Sequence, residues 1–470
     1  MSRSMIFNHT TIFNHAKASL LTLTCLLSGC VATPPTQTEL AQQALTNLHQ
    51  PAQWQFAQTP GEFDAAALGF NLPPALIELI KEAQLHNPDL RITATRVAQA
   101  QAALTVAGAS LVPSLAIGGE TGNSPIPAAS ITTEGLALLS TWEIDIWGKT
   151  RSAKAAAQAN SLAAELDELY IRQSLAASVV KAWLAAVEAE RQIAFSRELV
   201  DLAEQQLQLM QVGRTVGRNS QQEIVISQLA VKNYRNQILQ SEQASNAAKR
   251  ALEVLLGHYP DSDISVANNL PAAPTPIPAG LPSELLERRP DLRAAEQRFQ
   301  AAFYQVEAAK KARLPNISLT AGLGVVDDDV RDLQEDLDNP VWGVKGTLLA
   351  PIFNNGALNA QVEIKTQQQQ ESTALYAKTM LNALNEIEGG LFNEQNLTAR
   401  YELMQAQVAD QQRILDLTRV QIKVGSSNRY QLYQQEMNLA SNQLALLRIH
   451  NERLIQRVNL HLALGGLYSI

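Results

Sequence analysis

The sequence predicts a mainly α-helical protein with a small β part, and three observations support this fold class. Residues 152–212 contain no Gly or Pro, which predicts one helix of roughly 90 Å at about 1.5 Å per residue. Four short segments alternate between apolar and polar residues, as half-buried strands do. Both kinds of element occur twice along the chain, because the sequence repeats itself.

The first residues of the chain have the layout of a secretory signal, with cations before an apolar run and small residues after it. Residues 27–30 read LSGC and are similar to a bacterial lipobox. We therefore expect a lipoprotein signal peptide over 1–29, acylation of Cys30 and a lipidated N-terminal segment over 30–84. An ordinary signal peptide with a chance cysteine is the alternative. The other cysteine, Cys25, lies in the signal, so we expect no disulfide and a chain stabilised by packing and assembly.

The remainder of the chain is a tandem duplication. The segment NPDLR returns as RPDLR 202 residues later, and three glycines recur 208 residues later as Gly356, Gly425 and Gly465. The first repeat is predicted over 85–260 and the second over 285–467, joined by a Pro-rich linker over 261–284 that we expect to be extended. Each repeat contains a helix, two strands, a very long helix, a sharp turn and another long helix.

The strands are predicted at 112–120, 136–146, 314–325 and 341–352. Each has about the 9 to 11 residues that a tilted transmembrane strand requires. A soluble, half-buried antiparallel sheet is the alternative. Four strands cannot close a barrel, since the smallest bacterial barrels have about eight, so a membrane location requires more than one chain. Alternation puts the following residues on the polar side: Glu143, Asp145, Asn316, Ser318, Thr320, Lys345 and Thr347.

The long helices carry apolar residues at spacings of three and four, which predicts one buried and one hydrated face. Residues 218–256 and 426–464 also lack helix breakers. Gly389 and Gly390 interrupt the long helix of the second repeat, where we expect a bend.

Composition and motifs exclude several function classes. The formal net charge is −8 and no face clusters Lys and Arg, so a nucleic-acid partner is not expected. No compact histidine spacing, nucleophile elbow or phosphate loop is present, so we predict no enzyme, no cofactor and no metal site. The acidic segment 325–340 is predicted to be an external, solvated loop; cation binding there is the alternative.

Several ordered motifs carry a resemblance to a known family. WEIDIWGKTR at 142–151, LLAPIFNNGALNA at 348–360 and the turns TVGRNSQQEI and KVGSSNRYQL closely resemble the outer-membrane factor family of TolC-like and OprM-like efflux channels, in its lipoprotein branch. The resemblance implies a homotrimer whose twelve strands, four per chain, form one β-barrel in outer-membrane lipid, continued by a periplasmic α-barrel. It also implies a periplasmic adaptor (membrane fusion) protein, an inner-membrane pump, and passive conduction of substrates to the exterior.

The resemblance also assigns roles to particular residues. Glu143, Asp145 and Lys345 become lumen-facing candidates. The family often has acidic gate residues six and nine positions after the second-repeat glycine, but this chain has Gln431 and Gln434, which puts a cation-selective acidic ring in doubt. Glu223, in the first repeat, and Arg429 complete the gate candidates. The adaptor-contacting hairpin tips are Val216, Gly217, Arg218, Val424, Gly425 and Ser426.

Three alternatives stay open on the sequence alone. A protein-export channel would share every feature of a drug-efflux channel, because the pump largely selects the substrate. A periplasmic scaffold lipoprotein would share the helices but would not need membrane-length strands. A lipoprotein enzyme would need a site that the sequence does not contain.

Overall fold

The computed structural model of the protein describes residues 33–44, 54–56, 68–123, 132–275, 288–327 and 341–466. The predicted signal peptide, Cys30, most of the acidic segment and residues 276–284 of the Pro-rich linker lie outside these ranges.

Long helices dominate the structure, as predicted. The described helices are α1 Gln37–Ala44, α2 Pro74–His86, α3 Pro88–Ala109, α4 Lys149–Thr215, α5 Gln221–Leu256, α6 Pro290–Lys311, α7 Ala357–Lys423 and α8 Arg429–Ala463. Both α4 and α7 have 67 residues, which is roughly 100 Å at about 1.5 Å per residue. The 208-residue offset maps both ends of α4 onto those of α7, so the duplication is retained in the fold. No helix in the described ranges combines the length and apolar character that crossing a membrane demands.

The helix α7 runs unbroken through Gly389 and Gly390, so these glycines do not end it, and the bend expected there stays a prediction. A Cβ on Gly390 would lie 3.1 Å from Cδ1 of Leu460, whereas a Cβ on Gly389 would meet nothing within 4 Å. Glycine at position 390 therefore lets α8 approach the α7 backbone closely, and packing retains a helix that glycine propensity alone disfavours.

Equivalent contacts hold the end of the second hairpin helix in each repeat. In the first repeat, Asn87 Nδ2 donates to the carbonyl of Leu255 at 2.9 Å. In the second, buried Arg289 Nη1 donates to the carbonyl of Ala463 at 3.1 Å. Asn87 and Arg289 are the first residues of the repeated motifs NPDLR and RPDLR. Because each makes the equivalent contact in its own repeat, this contact explains part of why the motif recurs.

The chain divides into two compact units. The first comprises 1–46, 96–165 and 294–377, and contains the β-sheet; the second comprises 47–95, 166–293 and 378–470, and contains the helical hairpin tips. The second unit has a core in which Trp183 of α4 packs with Ile80 of α2, Leu252 of α5 and Leu454 of α8.

The sheet has four antiparallel strands in chain order: β1 Ser114–Asn123, β2 Thr132–Ile144, β3 Asn316–Asp327 and β4 Val341–Leu349. All four predicted strands are present, with ends that differ from prediction by a few residues. Among the described strands, β1 and β4 are the edges of the sheet, and each has a neighbouring strand on one side alone.

Candidate functional site

The register of the sheet separates its residues into two chemically different faces. Trp142 pairs with Leu319, and Leu323 pairs with Trp342. Paired residues in adjacent strands point to the same side of a sheet, so the apolar residues of different strands form one continuous face. That face contains Leu115, Ile117, Leu136, Leu138, Trp142, Ile144, Ile317, Leu319, Ala321, Leu323, Val325, Trp342, Val344 and Leu348.

The opposite face is more polar, with small residues near its middle, although Leu139, Val326, Val341 and Leu349 also lie on it. Glu143 pairs with Ser318, Ser318 with Thr347, and Thr320 with Lys345. The sequence alternation therefore predicted the side of the sheet on which Glu143 and Lys345 lie. Lys345 is exposed on β4, and Glu143 forms an ion pair of 2.6 Å with Lys149.

Much of the apolar face is exposed among the residues that the structure describes, although Val325 is buried. Ile117, Trp342 and Val344 are 75%, 76% and 69% exposed. A contiguous apolar surface of this kind marks an interaction with lipid or protein.

Asp145 departs from the predicted strand. It follows the last residue of β2, so the alternation that placed it on the polar side of the sheet does not extend to it. Its carboxylate accepts hydrogen bonds from the backbone N–H groups of Thr150 at 3.0 Å and Arg151 at 2.8 Å, at the start of α4. Burial raises the pKa of Asp145, but these backbone hydrogen bonds outweigh burial and leave the pKa below its usual value. An anion at a helix N-terminus is stabilised by those free N–H groups, so Asp145 anchors α4 to the end of the sheet.

The two hairpin tips are built alike. Gly217 and Gly425 have φ of +75° and +78°, a left-handed conformation that favours glycine. The following N–H groups, of Arg218 and Ser426, donate five residues back to the carbonyls of Gly213 and Gln421 at 2.8 and 2.9 Å. This is the Schellman ending of a helix. Val216 and Val424 are 66% and 72% exposed, so both tips present an apolar side chain to the surroundings.

The gate candidates lie in the first turn of the helix that follows each tip. Ser220 and Glu223 form a capping box, in which the Glu223 carboxylate accepts from the N–H of Ser220 at 2.6 Å. That hydrogen bond lowers the pKa of the exposed Glu223 carboxyl. In the second repeat, Asn428 accepts from the N–H of Gln431 at 2.9 Å, and Ser427 Oγ donates to Gln431 Oε1.

The remaining tip residues have fewer contacts. Arg218 and Arg429 are exposed, and neither forms an ion pair with any residue that the structure describes. Gln434 is half-buried on α8. Among the described ranges, no group of three or more His, Cys, Asp and Glu side chains is arranged to hold a metal ion.

Comparison with known proteins decides the family. The sequence profile described as "Outer membrane efflux protein" matches residues 79–258 and 281–466. The chain belongs to the outer membrane efflux protein family. It is accordingly an outer-membrane channel component of an efflux system. The two matched stretches each contain one long hairpin and one pair of strands.

Relatives in this efflux family match over nearly their whole length. The pyoverdine export outer membrane protein OpmQ of Pseudomonas aeruginosa is 30% identical, over 95% of this chain and 96% of its own. The toluene efflux pump outer membrane protein TtgC of Pseudomonas putida is 30% identical, over 95% of both chains. The cation efflux system protein CusC of Escherichia coli K12 is 25% identical, over 94% and 97%.

Solved structures of efflux channels have the same fold. The open state of the Neisseria gonorrhoeae MtrE outer membrane channel superposes with a TM-score of 0.80 at 22% identity, over 90% of this chain and 98% of MtrE. The outer-membrane channel OprN gives 0.81 at 22% identity, over 93% and 100%. The predicted fold class, mainly α with long hairpins and a small β part, is confirmed.

Sequence analysis did not predict the local contacts that the candidate residues of this efflux protein form. The pattern Ser220-x-x-Glu223 is the capping-box signature and identifies the Glu223 contact without a structure. No comparable local pattern reveals the Glu143–Lys149 ion pair, because it joins the end of a strand to the start of a helix across a turn.

Proposed function

We propose that three copies of this chain form one outer-membrane channel with twelve strands, continued by a barrel of the long helices. The observation that carries this proposal is the four-stranded sheet, in which β1 and β4 have no further described strand beside them and the apolar face is largely exposed. In hydrocarbon, unpaired backbone groups are costly, so edges β1 and β4 require partners from neighbouring copies. The apolar face then contacts lipid, and the face with Glu143 and Lys345 lines the lumen.

The hairpin tips are proposed to dock a periplasmic adaptor (membrane fusion) protein, which links the channel to an inner-membrane pump. Val216 and Val424 supply exposed apolar contacts, and Gly217 and Gly425 shape the turns that present them. The first-turn residues Glu223, Arg429, Gln431 and Gln434 are proposed to form the periplasmic gate.

Conduction requires no covalent chemistry, so the protein acts as a passive conduit rather than an enzyme. Small toxic compounds are the proposed substrates. The names of OpmQ, TtgC and CusC refer to pyoverdine, toluene and cations, which are all small, and this supports a small-molecule substrate over an exported protein.

The anchor and the domain limits complete the proposal. Acylation of Cys30 adds one lipid attachment, which alone anchors only weakly, so the strands supply the lasting membrane association. The proposed signal peptide is 1–29, the lipidated segment 30–84, and the repeats 85–260 and 285–467 flank the linker 261–284.

Reconstitution of the purified protein in planar bilayers tests this function. We expect discrete conductance steps from a species whose mass corresponds to three chains, and no steps from heat-denatured protein. Membrane-inserted trimers that never conduct would contradict the channel. A folded monomer that stays in aqueous buffer would indicate the scaffold lipoprotein instead.

A further inference from the structure

A small cavity lies at the helix-side end of the sheet, where β2, β3 and β4 meet the ends of α4 and α6. Its volume is 250 Å³. The residues that matter most are Glu143, Asp145, Trp147, Lys149 and Lys311, all of which line it. Apart from Glu143, which belongs to the face proposed to line the lumen, none of these residues has a role in the function proposed above.

Two carboxylates and two lysines line the cavity, and Arg151, which pairs with Asp145 from outside the lining, brings the cations to three. The Glu143 carboxylate is bound by Lys149 at 2.6 Å. The Asp145 carboxylate is bound by two backbone N–H groups and by Arg151 Nε at 3.2 Å. Both anions of the cavity wall are therefore already satisfied by groups other than Lys311.

Lys311 is the remaining cation, and it is half-buried. Its Nζ donates to Ser152 Oγ at 2.8 Å, and no carboxylate within the described ranges forms an ion pair with it. A Cβ on Gly148 would lie 3.6 Å from Lys311 Nζ and 3.4 Å from Arg151 Nη2. Two cationic groups thus flank Gly148, and only one of them has a carboxylate partner. A partly desolvated ammonium without an anion is unfavourable, so an external anion is favoured there.

Apart from Asn316, the side chains of the rest of the cavity wall are apolar. Ile146, Leu314, Leu349, Pro351 and Leu358 contribute to it. The indole of Trp147 is 46% exposed and is held in place by its N–H, which donates to the carbonyl of Pro315 at 2.6 Å. An ammonium beside an oriented indole and aliphatic side chains matches a ligand with an anionic group on an apolar body.

The duplication provides an internal comparison. The residue equivalent to Lys311 in the first repeat is Ala109, 202 positions earlier, and the equivalents of Trp147 and Lys149 in the second are Asn355 and Ala357, 208 positions later. The cations and the indole are therefore not needed to build a strand-to-helix junction of this fold. They are particular to one of two equivalent junctions, which favours a binding role over a general structural one.

We propose that this cavity binds the anionic group of an amphiphile, with Lys311 Nζ contacting the anion and Trp147 contacting the apolar body. The ligand is either an anionic phospholipid of the surrounding membrane or an acidic amphiphilic solute that passes through the channel. The location of the cavity at a membrane boundary rests on the proposed function. The absence of a carboxylate partner for Lys311 among the described residues is independent of that function.

Two variants of the full-length protein test the site. Lys311→Gln removes the charge and retains a group that donates to Ser152. Lys310→Gln is the matched control, because Lys310 is the preceding residue, is exposed, and pairs with Glu307 at 2.9 Å rather than lining the cavity. Native mass spectrometry of protein equilibrated with equal amounts of phosphatidylglycerol and phosphatidylcholine measures the lipid arm. Block of single channels by aqueous decanoate, in phosphatidylcholine bilayers, measures the solute arm.

We expect Lys311→Gln to weaken binding of the anionic probe about tenfold in one arm, as loss of one charged hydrogen bond does. Lys310→Gln should remain within about twofold of wild type on the same scale. Weaker phosphatidylglycerol binding identifies a lipid site, and weaker decanoate block identifies a solute site. Equal behaviour of the two variants in both arms overturns the inference. A protein that never conducts would count against the proposed channel rather than against this site, because the lipid arm needs no conductance.

Discussion

Glu223 and Gln431 occupy the same position in the two repeats, 208 residues apart, and both lie in the first turn of a hairpin helix. The Glu223 carboxylate closes a capping box with Ser220, and such a contact stabilises the start of a helix. We therefore expect Ser220→Ala to fray the start of α5. Hydrogen exchange of residues 221–226, measured by mass spectrometry, should become faster while the equivalent turn of α8 is unchanged. Equal exchange in wild type and variant would show that the cap adds nothing.

The same contact predicts a pH dependence. The backbone hydrogen bond from Ser220 lowers the pKa of Glu223, so the ionised carboxylate stabilises the folded turn. This contribution is present above the usual pKa of a glutamate and is lost as the pH falls through the lowered pKa. Protection of the first turn of α5 should therefore decrease in acid in wild type. In Glu223→Gln this protection should not change with pH over the same range. A pH dependence that persists in the variant would assign the effect to another group.

At the scale of elements, the sequence predicts features that depend on residue periodicity, such as the two faces of a strand. It does not predict features that depend on contact with another element. The alternation in β3 is strict, and a shift of one residue would reverse both faces, so the sides of Ile317 and Ser318 were predictable. Alternation continues past Ile144 into Asp145, and nothing local indicates that the N–H groups of α4 withdraw Asp145 from the strand. The close contact of Gly390 was not predictable for a similar reason, because its partner Leu460 is 70 residues away.

The two adjacent glycines of α7 form a matched pair for testing that explanation. Replacing glycine by alanine inside a helix stabilises it by about 1 kcal/mol when space permits. Gly389→Ala meets nothing within 4 Å in the chain, whereas in Gly390→Ala the Cβ approaches buried Leu460 at 3.1 Å. We expect the thermal midpoint, followed by circular dichroism in detergent, to be higher for Gly389→Ala than for Gly390→Ala. Equal midpoints would remove close packing as the reason for glycine at 390.

Adjacent positions on β3 test the assignment of the sheet faces. Ala321 belongs to the apolar face and Thr320 to the polar face. An arginine facing lipid at mid-depth costs about 2–4 kcal/mol, whereas one facing a lumen is tolerated. Ala321→Arg should sharply reduce the protein that remains in liposomes after urea extraction, and Thr320→Arg should not. Similar losses for both variants would favour the soluble, half-buried sheet.

For the whole molecule, the proposed gate at the hairpin tips predicts different variant behaviour according to whether charge or local order holds it closed. The Glu223 side chain supplies both, since its carboxylate is ionised and also caps α5. Glu223→Gln removes the charge but leaves an oxygen to accept from Ser220, while Glu223→Ala removes both. A gate that depends on a ring of charge opens in both variants, whereas one that depends on the ordered turn opens only in Glu223→Ala.

Single-channel recording in planar bilayers distinguishes these cases. Because the equivalent second-repeat residue is Gln431, whose contact with Ser427 involves no charge, we expect local order to dominate. Glu223→Ala and Gln431→Ala should each increase the open fraction several-fold, Gln434→Ala should act in the same direction, and Glu223→Gln should resemble wild type. If Glu223→Gln opens the channel as far as Glu223→Ala does, the gate is electrostatic. If no tip variant changes the open fraction of conducting trimers, the closure lies elsewhere in the molecule.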